Sequence, residues 1–332
     1  MTTNLDGVLD KQPGSLQWPR VYLDSAILLD IADGRLDRGL LSRLLAAMTK
    51  RPKWLVVSRD HMQDVMSRTD AGNRDRFAAA VEQFPFRAVV HKEPHEIEPW
   101  TDGPRDIELR PVAAFRELLQ EPAAAPYLAK LATAQEQLHV ASSSAQAVRR
   151  TDPPLSPKGN KFVTRCLVTL ARGWMGTDVP GILAMWEAEA EESLSDAERS
   201  SIISMLTPWA GLLSDYEREY SPSAEDRDKL LQNFRDSFDD ASREHSPGMF
   251  LARRLSGCWH RNVHRKPRRS DSVDGMHASY FPYVDVATCD ASAFSCLAPH
   301  IGAVSGIRRP ILLKNGDLTA LVEAVASLDL SM

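Results

Sequence analysis

The sequence has little of what would mark a secreted, disulfide-stabilised or membrane protein. It holds four cysteines in 332 residues, and no two of them form a Cys-x-x-Cys pair. This scarcity argues against a disulfide scaffold and favours free thiols in a reducing compartment. No uncharged apolar run approaches the ~18 residues of a membrane span. Residues 1–14 are polar and lack the basic and apolar segments of a signal peptide. We therefore expect a cytoplasmic protein with no membrane partner.

The chain also lacks a large excess of charge of either sign. Its 40 lysines and arginines stand against 45 acidic residues, for a net charge of −5. The 43% hydrophobic and 26% charged content is close to that of an average globular protein, which excludes wholesale disorder. The charges are unevenly distributed along the chain, since residues 182–244 hold 16 acidic and 6 basic side chains. Residues 251–270 hold seven basic side chains and no acidic one.

Short apolar runs alternate with helical spacing near the start of the chain. Residues 18–24, 53–57 and 86–90 are β-prone apolar runs typical of buried strands. The segments between them repeat apolar residues at helical intervals. This βαβαβ order predicts a parallel sheet flanked by helices, an α/β fold.

The middle of the chain shows a different pattern from its two ends. From about residue 105 to 262 almost all signals are helical. Strand patterns return at 282–288 and 309–314, and a terminal helix is predicted at 318–328. We therefore predict one α/β domain built from residues 18–95 and 270–332, interrupted by an all-α insertion at 100–268.

Four aspartates stand at the predicted strand ends or on the adjoining helices. Asp24 ends the first strand, Asp64 lies on the helix after the second, Asp274 lies on the helix before a late strand, and Asp290 follows that strand. Ligands of open parallel sheets bind outside the carboxyl ends of the strands. Carboxylates that meet there repel one another unless a cation lies between them, and oxygen ligands suit Mg²⁺ or Mn²⁺. Each aspartate alone could instead be a helix N-cap.

Three segments carry a resemblance to a known family. They read VYLDS at 21–25, VVSRDHMQDVM at 56–66 and DGMHASYFPYVDVATCD at 274–290. Their order and acidic positions are similar to those of the PIN-like metal-dependent nucleases, which include toxin-type ribonucleases. Asp64 stands where that family more often has glutamate. The resemblance covers residues 18–95 and 270–332, which is under half of the chain. The insertion resembles no family.

The resemblance implies an endonuclease that hydrolyses phosphodiester bonds, usually in RNA, and leaves a 5′-phosphate and a 3′-hydroxyl. Asp24 and Asp290 would bind Mg²⁺ or Mn²⁺ directly, and Asp64 and Asp274 would complete the site directly or through water. An inhibitor protein or a second copy of the chain is a further expected partner. The alternative is a catalytically inactive PIN-like module that binds nucleic acid or protein. A third hypothesis is that the protein is a hydrolase of small phosphate esters.

Three further residues are candidates for supporting roles in the site. Ser25 follows the first aspartate, His277 is three residues after Asp274, and Asp285 lies within a predicted strand. Asp271 competes with Asp274 for the third acidic position, and the spacing to the Tyr-Val-Asp segment favours Asp274. His61 lies on a face similar to that of Asp64, and a structural role is expected for it.

The basic stretch is the candidate nucleic-acid-binding segment. Arginine forks pair with phosphate oxygens, and this stretch comes just before Asp274. The expected contacts are Arg261, Arg265, Lys266, Arg268 and Arg269. The alternative is a solvated face, or one paired with the acidic segment 182–244.

Overall fold

A computed structural model describes the two ends of the chain and little of its middle. The described residues are 17–66, 71–98, 100, 103–112, 115–116, 156, 194–195, 242–261, 268, 271–304 and 308–328. Most of the predicted helical insertion therefore lies outside the described residues. In the described part of the chain, no helix is long and apolar enough to cross a bilayer.

The described elements form an α/β architecture around a six-stranded, mostly parallel sheet. In chain order they are β1 (Arg20–Tyr22), α1 (Ser25–Ala32), α2 (Arg38–Lys50), β2 (Trp54–Val57), α3 (Arg59–Met66), α4 (Ala71–Glu82), β3 (Arg87–Lys92), α5 (Pro94–Ile97), β4 (Glu108–Pro111), α6 (Ser242–His245), α7 (Pro247–Arg261), α8 (Asp271–Ser279), a 3-10 turn (Phe281–Tyr283), β5 (Val286–Cys289), α9 (Ala291–Ile301), β6 (Ile311–Lys314) and α10 (Leu318–Ser327). The predicted α/β class is confirmed.

The strands lie in the order β4-β3-β2-β1-β5-β6. Val21 of β1 pairs in parallel with Leu55 of β2 on one side and with Val286 of β5 on the other. All of β1, β2 and β5 is buried, as expected for central strands covered on both faces. Helix α1 packs against α4, and α2 packs against α10. The first and last parts of the chain therefore share one sheet and one hydrophobic core.

Strand β4 is a departure from the sequence prediction. It lies at residues 108–111, in the region where almost all signals predicted helix, and it pairs antiparallel with β3 at the edge of the sheet. Only Leu109 of its four residues is buried, and Pro111 ends it. An edge strand with one inward side chain shows no alternating pattern, and its Pro is tolerated because an edge leaves backbone donors unpaired.

The chain divides into two compact units. One comprises residues 1–132, 241–255 and 273–332 and contains the whole sheet. The other comprises residues 133–240 and 256–272. Helix α7 begins in the first unit and ends in the second. The first unit thus draws on a longer part of the chain than the predicted 18–95 and 270–332.

The start of α7 is fixed by a buried carboxylate. Glu98 is 2% exposed, and its oxygens accept hydrogen bonds from the backbone N–H of Gly248 at 2.8 Å and of Met249 at 3.0 Å. The hydroxyl of Tyr283 also donates to Glu98. These bonds satisfy amides that every helix leaves unpaired in its first turn. Glu98 thereby joins α7 to the turn that precedes β5.

The cysteines depart in part from the expectation of free thiols. Cys258 and Cys296 each take part in a disulfide. Cys289, the last residue of β5, is free and buried. The expectation of free thiols is therefore wrong for Cys258 and Cys296 and confirmed for Cys289.

Candidate functional site

The order of the strands creates a switch point between β1 and β5. From β1 the chain proceeds through β2 and β3 on one side, and it later adds β5 and β6 on the other. Ligands of open α/β sheets bind in the crevice outside the carboxyl ends of the strands at such a point. Asp24 follows β1 and Asp290 follows β5, so the two aspartates come from the two strands that flank the crevice.

Each of these aspartates also begins a helix. An oxygen of Asp24 accepts a hydrogen bond from the Ala26 N–H at 2.7 Å, and an oxygen of Asp290 accepts one from the Ala293 N–H at 2.6 Å. The backbone N–H of Asp24 donates to the hydroxyl of Thr288 at 2.8 Å, which ties the ends of β1 and β5 together. Asp24 and Asp290 are therefore helix caps, as the alternative interpretation predicted. Each cap bond fixes one oxygen of its carboxylate and leaves the other oxygen outside the cap.

A small cavity lies at this edge. Asp24, Asp274, Asp290 and His277 are among the residues that line it. The remaining lining residues are Leu255, Phe281, Thr288, Cys289, Ala293 and Leu297. The cavity has room for about one water molecule. Three of the four predicted acidic residues thus border one confined space.

The charges of the four carboxylates act on this edge. Burial raises the pKa of Asp24, and the negative charges of Asp64 and Asp290 raise it further, against the lowering effect of hydrogen bonds from Ala26 and Asn315. Burial also raises the pKa of the Cys289 thiol, with added contributions from Asp24, Asp290 and Asp274. A cation placed here would relieve the repulsion between the carboxylates.

The chemistry of the donors fits a hydrated divalent cation. Carboxylate oxygens are the ligands that Mg²⁺ and Mn²⁺ prefer. Within the described ranges, however, no three His, Cys, Asp or Glu side chains are grouped closely enough to enclose an ion. Mg²⁺ often keeps several waters and binds through one or two carboxylates together with substrate phosphates. Asp24 and Asp290 would hold such an ion, and Asp64 and Asp274 would contribute charge or bind through water.

A buried polar network lies behind the cavity. The hydroxyl of Tyr22 is 2.8 Å from the Ser58 hydroxyl and 2.5 Å from Nδ1 of His277. The Ser58 hydroxyl is 3.0 Å from Nδ1 of His61, whose Nε2 is 2.6 Å from the carbonyl oxygen of Leu23. Burial lowers the pKa of His61 and of His277 to about 3, so both rings are neutral at pH 7.

Asp285 lies away from the other candidates. It precedes β5, at the end of that strand opposite to Asp290. Its carboxylate accepts a hydrogen bond from the backbone N–H of Arg20 at 2.7 Å and pairs with Arg308 at 2.5 Å. These contacts hold the amino ends of β1 and β5 together. The expected supporting role of Asp285 in the acidic site is therefore replaced by a structural role at the opposite edge.

The other expected residues have separate outcomes. Ser25 is buried in the first turn of α1 and does not line the cavity, and its hydroxyl has no hydrogen-bond partner in the described part of the chain. Asp271 accepts a hydrogen bond from the backbone N–H of Arg268, and both belong to the second unit.

Among the predicted nucleic-acid-binding residues, Arg268 is exposed. Arg265, Lys266 and Arg269 lie outside the described residues, as does the side chain of Arg261.

Sequence reasoning missed two residues at the cavity. Thr288 and Cys289 both line it, next to Asp290. The segment Ala-Thr-Cys-Asp contained a usable signal, because a hydroxyl two residues before a strand-end aspartate can reach the neighbouring strand. Tyr22 was predicted only as part of a buried strand, and nothing in the local sequence indicates its contact with His277.

Comparison with known proteins gave no match among family models, curated proteins or solved structures.

Asp60, in the first turn of α3, supports a prediction about pH. It is 5% exposed, and one of its carboxylate oxygens has no hydrogen-bond partner among the described residues. Burial raises its pKa to about 7, although the charge of Arg59 lowers it. Because the folded-state pKa lies above the unfolded value, the protonated form stabilises the fold. That stability is complete below about pH 4 and is lost as the pH rises through 7.

We therefore expect Asp60→Asn to change the pH dependence of unfolding. Relative to the variant, the wild-type free energy of unfolding should fall by ~1 kcal/mol per pH unit between pH 4 and 7. Urea titrations across that range measure the free energy of unfolding of wild type and variant. The contributions of His61 and His277 cancel in the difference because both proteins contain these residues. The exposed Asp75→Asn serves as the control. A difference between wild type and Asp60→Asn that is independent of pH would show that Asp60 titrates normally.

Proposed function

We propose that the protein is a Mg²⁺- or Mn²⁺-dependent endonuclease that hydrolyses phosphodiester bonds, with RNA as the substrate. The observation that carries the proposal is the placement of Asp24 and Asp290 at the two strand ends of the sheet's switch point, beside one cavity that Asp274 also lines. These carboxylates repel one another when they are ionised, and a bound divalent cation would relieve that repulsion. The proposed domain is PIN-like, interrupted by a helical insertion.

During hydrolysis the carboxylates would accept a proton from the attacking water and would hold a divalent ion. Water adds to phosphorus, the bond from phosphorus to the ester oxygen breaks, and the proton lost by the water passes to a carboxylate while the leaving oxygen gains one from solvent. A bound divalent ion would supply charge stabilisation for the developing oxyanion. Asp24 and Asp290 hold their positions through their helix caps, so their carboxylates need little reorganisation.

The choice of a nucleic acid rests on charge and on the family resemblance. The stretch 251–270 carries seven basic residues and no acidic one, within a chain of net charge −5. Such local concentration is typical of a phosphate-binding segment. A hydrolase of small phosphate esters would not need it. The preference for RNA comes from the resemblance to the PIN-like nucleases.

The second candidate is a catalytically inactive module that binds nucleic acid or protein. Two observations favour it. The described acidic side chains are not grouped tightly enough to enclose an ion, and Asp64 is shorter than the glutamate common in the family. In this case the basic stretch would bind nucleic acid without cleavage.

Cleavage of labelled single-stranded RNA and DNA by the purified protein distinguishes the two candidates. The reaction is run with Mn²⁺, with Mg²⁺ and with EDTA, and Asp24→Asn is tested in parallel to exclude a contaminating nuclease. We expect RNA cleavage that needs the metal, leaves 5′-phosphate ends and disappears in the variant. Binding of RNA without cleavage under either metal would support the inactive module instead.

A further inference from the structure

One of the two ring nitrogens of His277, a residue that lines the acidic cavity, has no hydrogen-bond partner among the described residues. His277 is 7% exposed and lines the cavity with Asp24, Asp274 and Asp290. Its Nδ1 is taken by the hydroxyl of Tyr22. Its Nε2 is buried and has no hydrogen-bond partner among the described residues. A buried polar atom without a partner costs free energy, so its presence calls for a bound group.

The network behind His277 fixes which nitrogen carries the proton. The Leu23 carbonyl can only accept, so Nε2 of His61 donates to it, and Nδ1 of this neutral ring is an acceptor. Nδ1 accepts from the Ser58 backbone N–H at 3.1 Å and from the Ser58 hydroxyl at 3.0 Å. The opposite direction would place the lone pairs of the Ser58 oxygen and the His61 nitrogen against each other.

The same direction continues to the cavity. Since the Ser58 hydroxyl donates to His61, it accepts from the Tyr22 hydroxyl at 2.8 Å. The Tyr22 oxygen then accepts from Nδ1 of His277 at 2.5 Å. A neutral imidazole carries one ring proton, which in His277 is thus on Nδ1. The lone pair is left on Nε2, the nitrogen not taken by Tyr22.

The size of the cavity limits what Nε2 can bind. The space has room for about one water molecule. Asp24, Asp274 and Asp290 line the same space as His277, and their carboxylates accept hydrogen bonds when ionised. A water here would donate one hydrogen to Nε2 and the other to a carboxylate. Its oxygen lone pairs would then face away from these acceptors.

We propose that His277 is a water-binding residue of the site, held by Tyr22, Ser58 and His61 in the tautomer whose bare Nε2 accepts a hydrogen bond from a cavity water. The water so oriented presents its oxygen for attack on phosphorus. Tyr22, Ser58 and His61 are positioning residues, because they act through His277. The part of this inference that concerns cleavage rests on the proposed function, whereas the tautomer does not.

The tautomer is tested by nitrogen NMR of the full chain labelled with ¹⁵N-histidine at pH 7. The His277 signals are assigned from their loss in His277→Gln. We expect a protonated Nδ1, with one-bond coupling to hydrogen, and an Nε2 with the chemical shift of an unprotonated imidazole nitrogen. A proton on Nε2 would overturn the inference, whether or not the protein cleaves RNA.

The role of the water is tested by two amides that each replace one ring nitrogen. His277→Gln places its amide near the position of Nε2, and His277→Asn places its amide near Nδ1. We expect His277→Asn to lower kcat about 10²-fold with little change in KM, and His277→Gln to retain most of kcat. The exposed His91→Asn is the control. Wild-type kcat in His277→Asn, or equal losses in both variants, would overturn the inference. If the wild type cleaves nothing, the proposed function fails and the NMR result alone decides the tautomer.

Discussion

Asp24→Asn and Asp290→Asn should each reduce RNA cleavage at least ~100-fold while leaving the protein as stable as the wild type or more stable. Losses of this size follow the removal of one preorganised electrostatic group from an active site. Asparagine caps helices about as well as aspartate, so the bonds to Ala26 and Ala293 can be replaced. The variants therefore separate the charge of each residue from its capping role.

The direction of the stability change follows from the pKa of Asp24. Burial and the neighbouring carboxylates raise that pKa, so ionisation of Asp24 destabilises the fold as the pH rises through its folded-state pKa. Asp24→Asn removes this cost, and we expect a higher Tm at pH 8 in the absence of divalent ions. Asp37→Asn is the matched control, since Asp37 caps α2 in the same way and does not line the cavity. Normal cleavage with a lowered Tm in Asp24→Asn would reduce Asp24 to a helix cap.

Gly248→Ala should lower the free energy of unfolding by roughly 1–3 kcal/mol, the typical cost of overpacking. A Cβ at Gly248 would lie 2.3 Å from the backbone carbonyl oxygen of Ser279 and 3.0 Å from a carboxylate oxygen of Glu98. Neither group can easily yield, because Ser279 ends α8 and Glu98 is held by the start of α7. Urea denaturation of the variant and wild type measures the loss.

The expected sign is opposite to the usual effect of this substitution. Alanine in place of glycine in a helix normally stabilises by about 1 kcal/mol. Gly302→Ala, at the end of α9, is the control because its Cβ would meet no atom within 4 Å and its backbone φ is negative. We expect Gly302→Ala to leave stability unchanged or to raise it. A Gly248→Ala variant as stable as the wild type would show that α7 does not pack so closely against the end of α8.

The sequence predicts the central strands and the ends at which the acidic residues lie. Continuous apolar runs such as Trp54–Val57 are what a central parallel strand requires, and the aspartate that follows such a run marks its carboxyl end. Because parallel strands end at one edge, the convergence of Asp24 and Asp290 could be inferred without coordinates. Residues 271–280 were compatible with a helix, and the structure places α8 there.

Features that depend on distant residues could not be inferred from local patterns. Asp285 was expected to lie within the late strand and to support the site, yet it precedes β5, whose whole length separates it from Asp290. Strand β4 carries too little apolar pattern to be recognised. The contact between Tyr22 and His277 joins residues 255 positions apart, so only the fold brings the ring and the hydroxyl together.

Calorimetric titration of Mn²⁺ into the protein and into Asp24→Asn tests whether the carboxylates at the carboxyl ends of β1 and β5 bind a divalent cation. We predict saturable binding to the wild type, and loss or strong weakening of binding in the variant. Asp37→Asn should bind as the wild type does. Absence of binding to the wild type, or binding unchanged in Asp24→Asn, would contradict the account and leave the acidic residues as caps of α1 and α9.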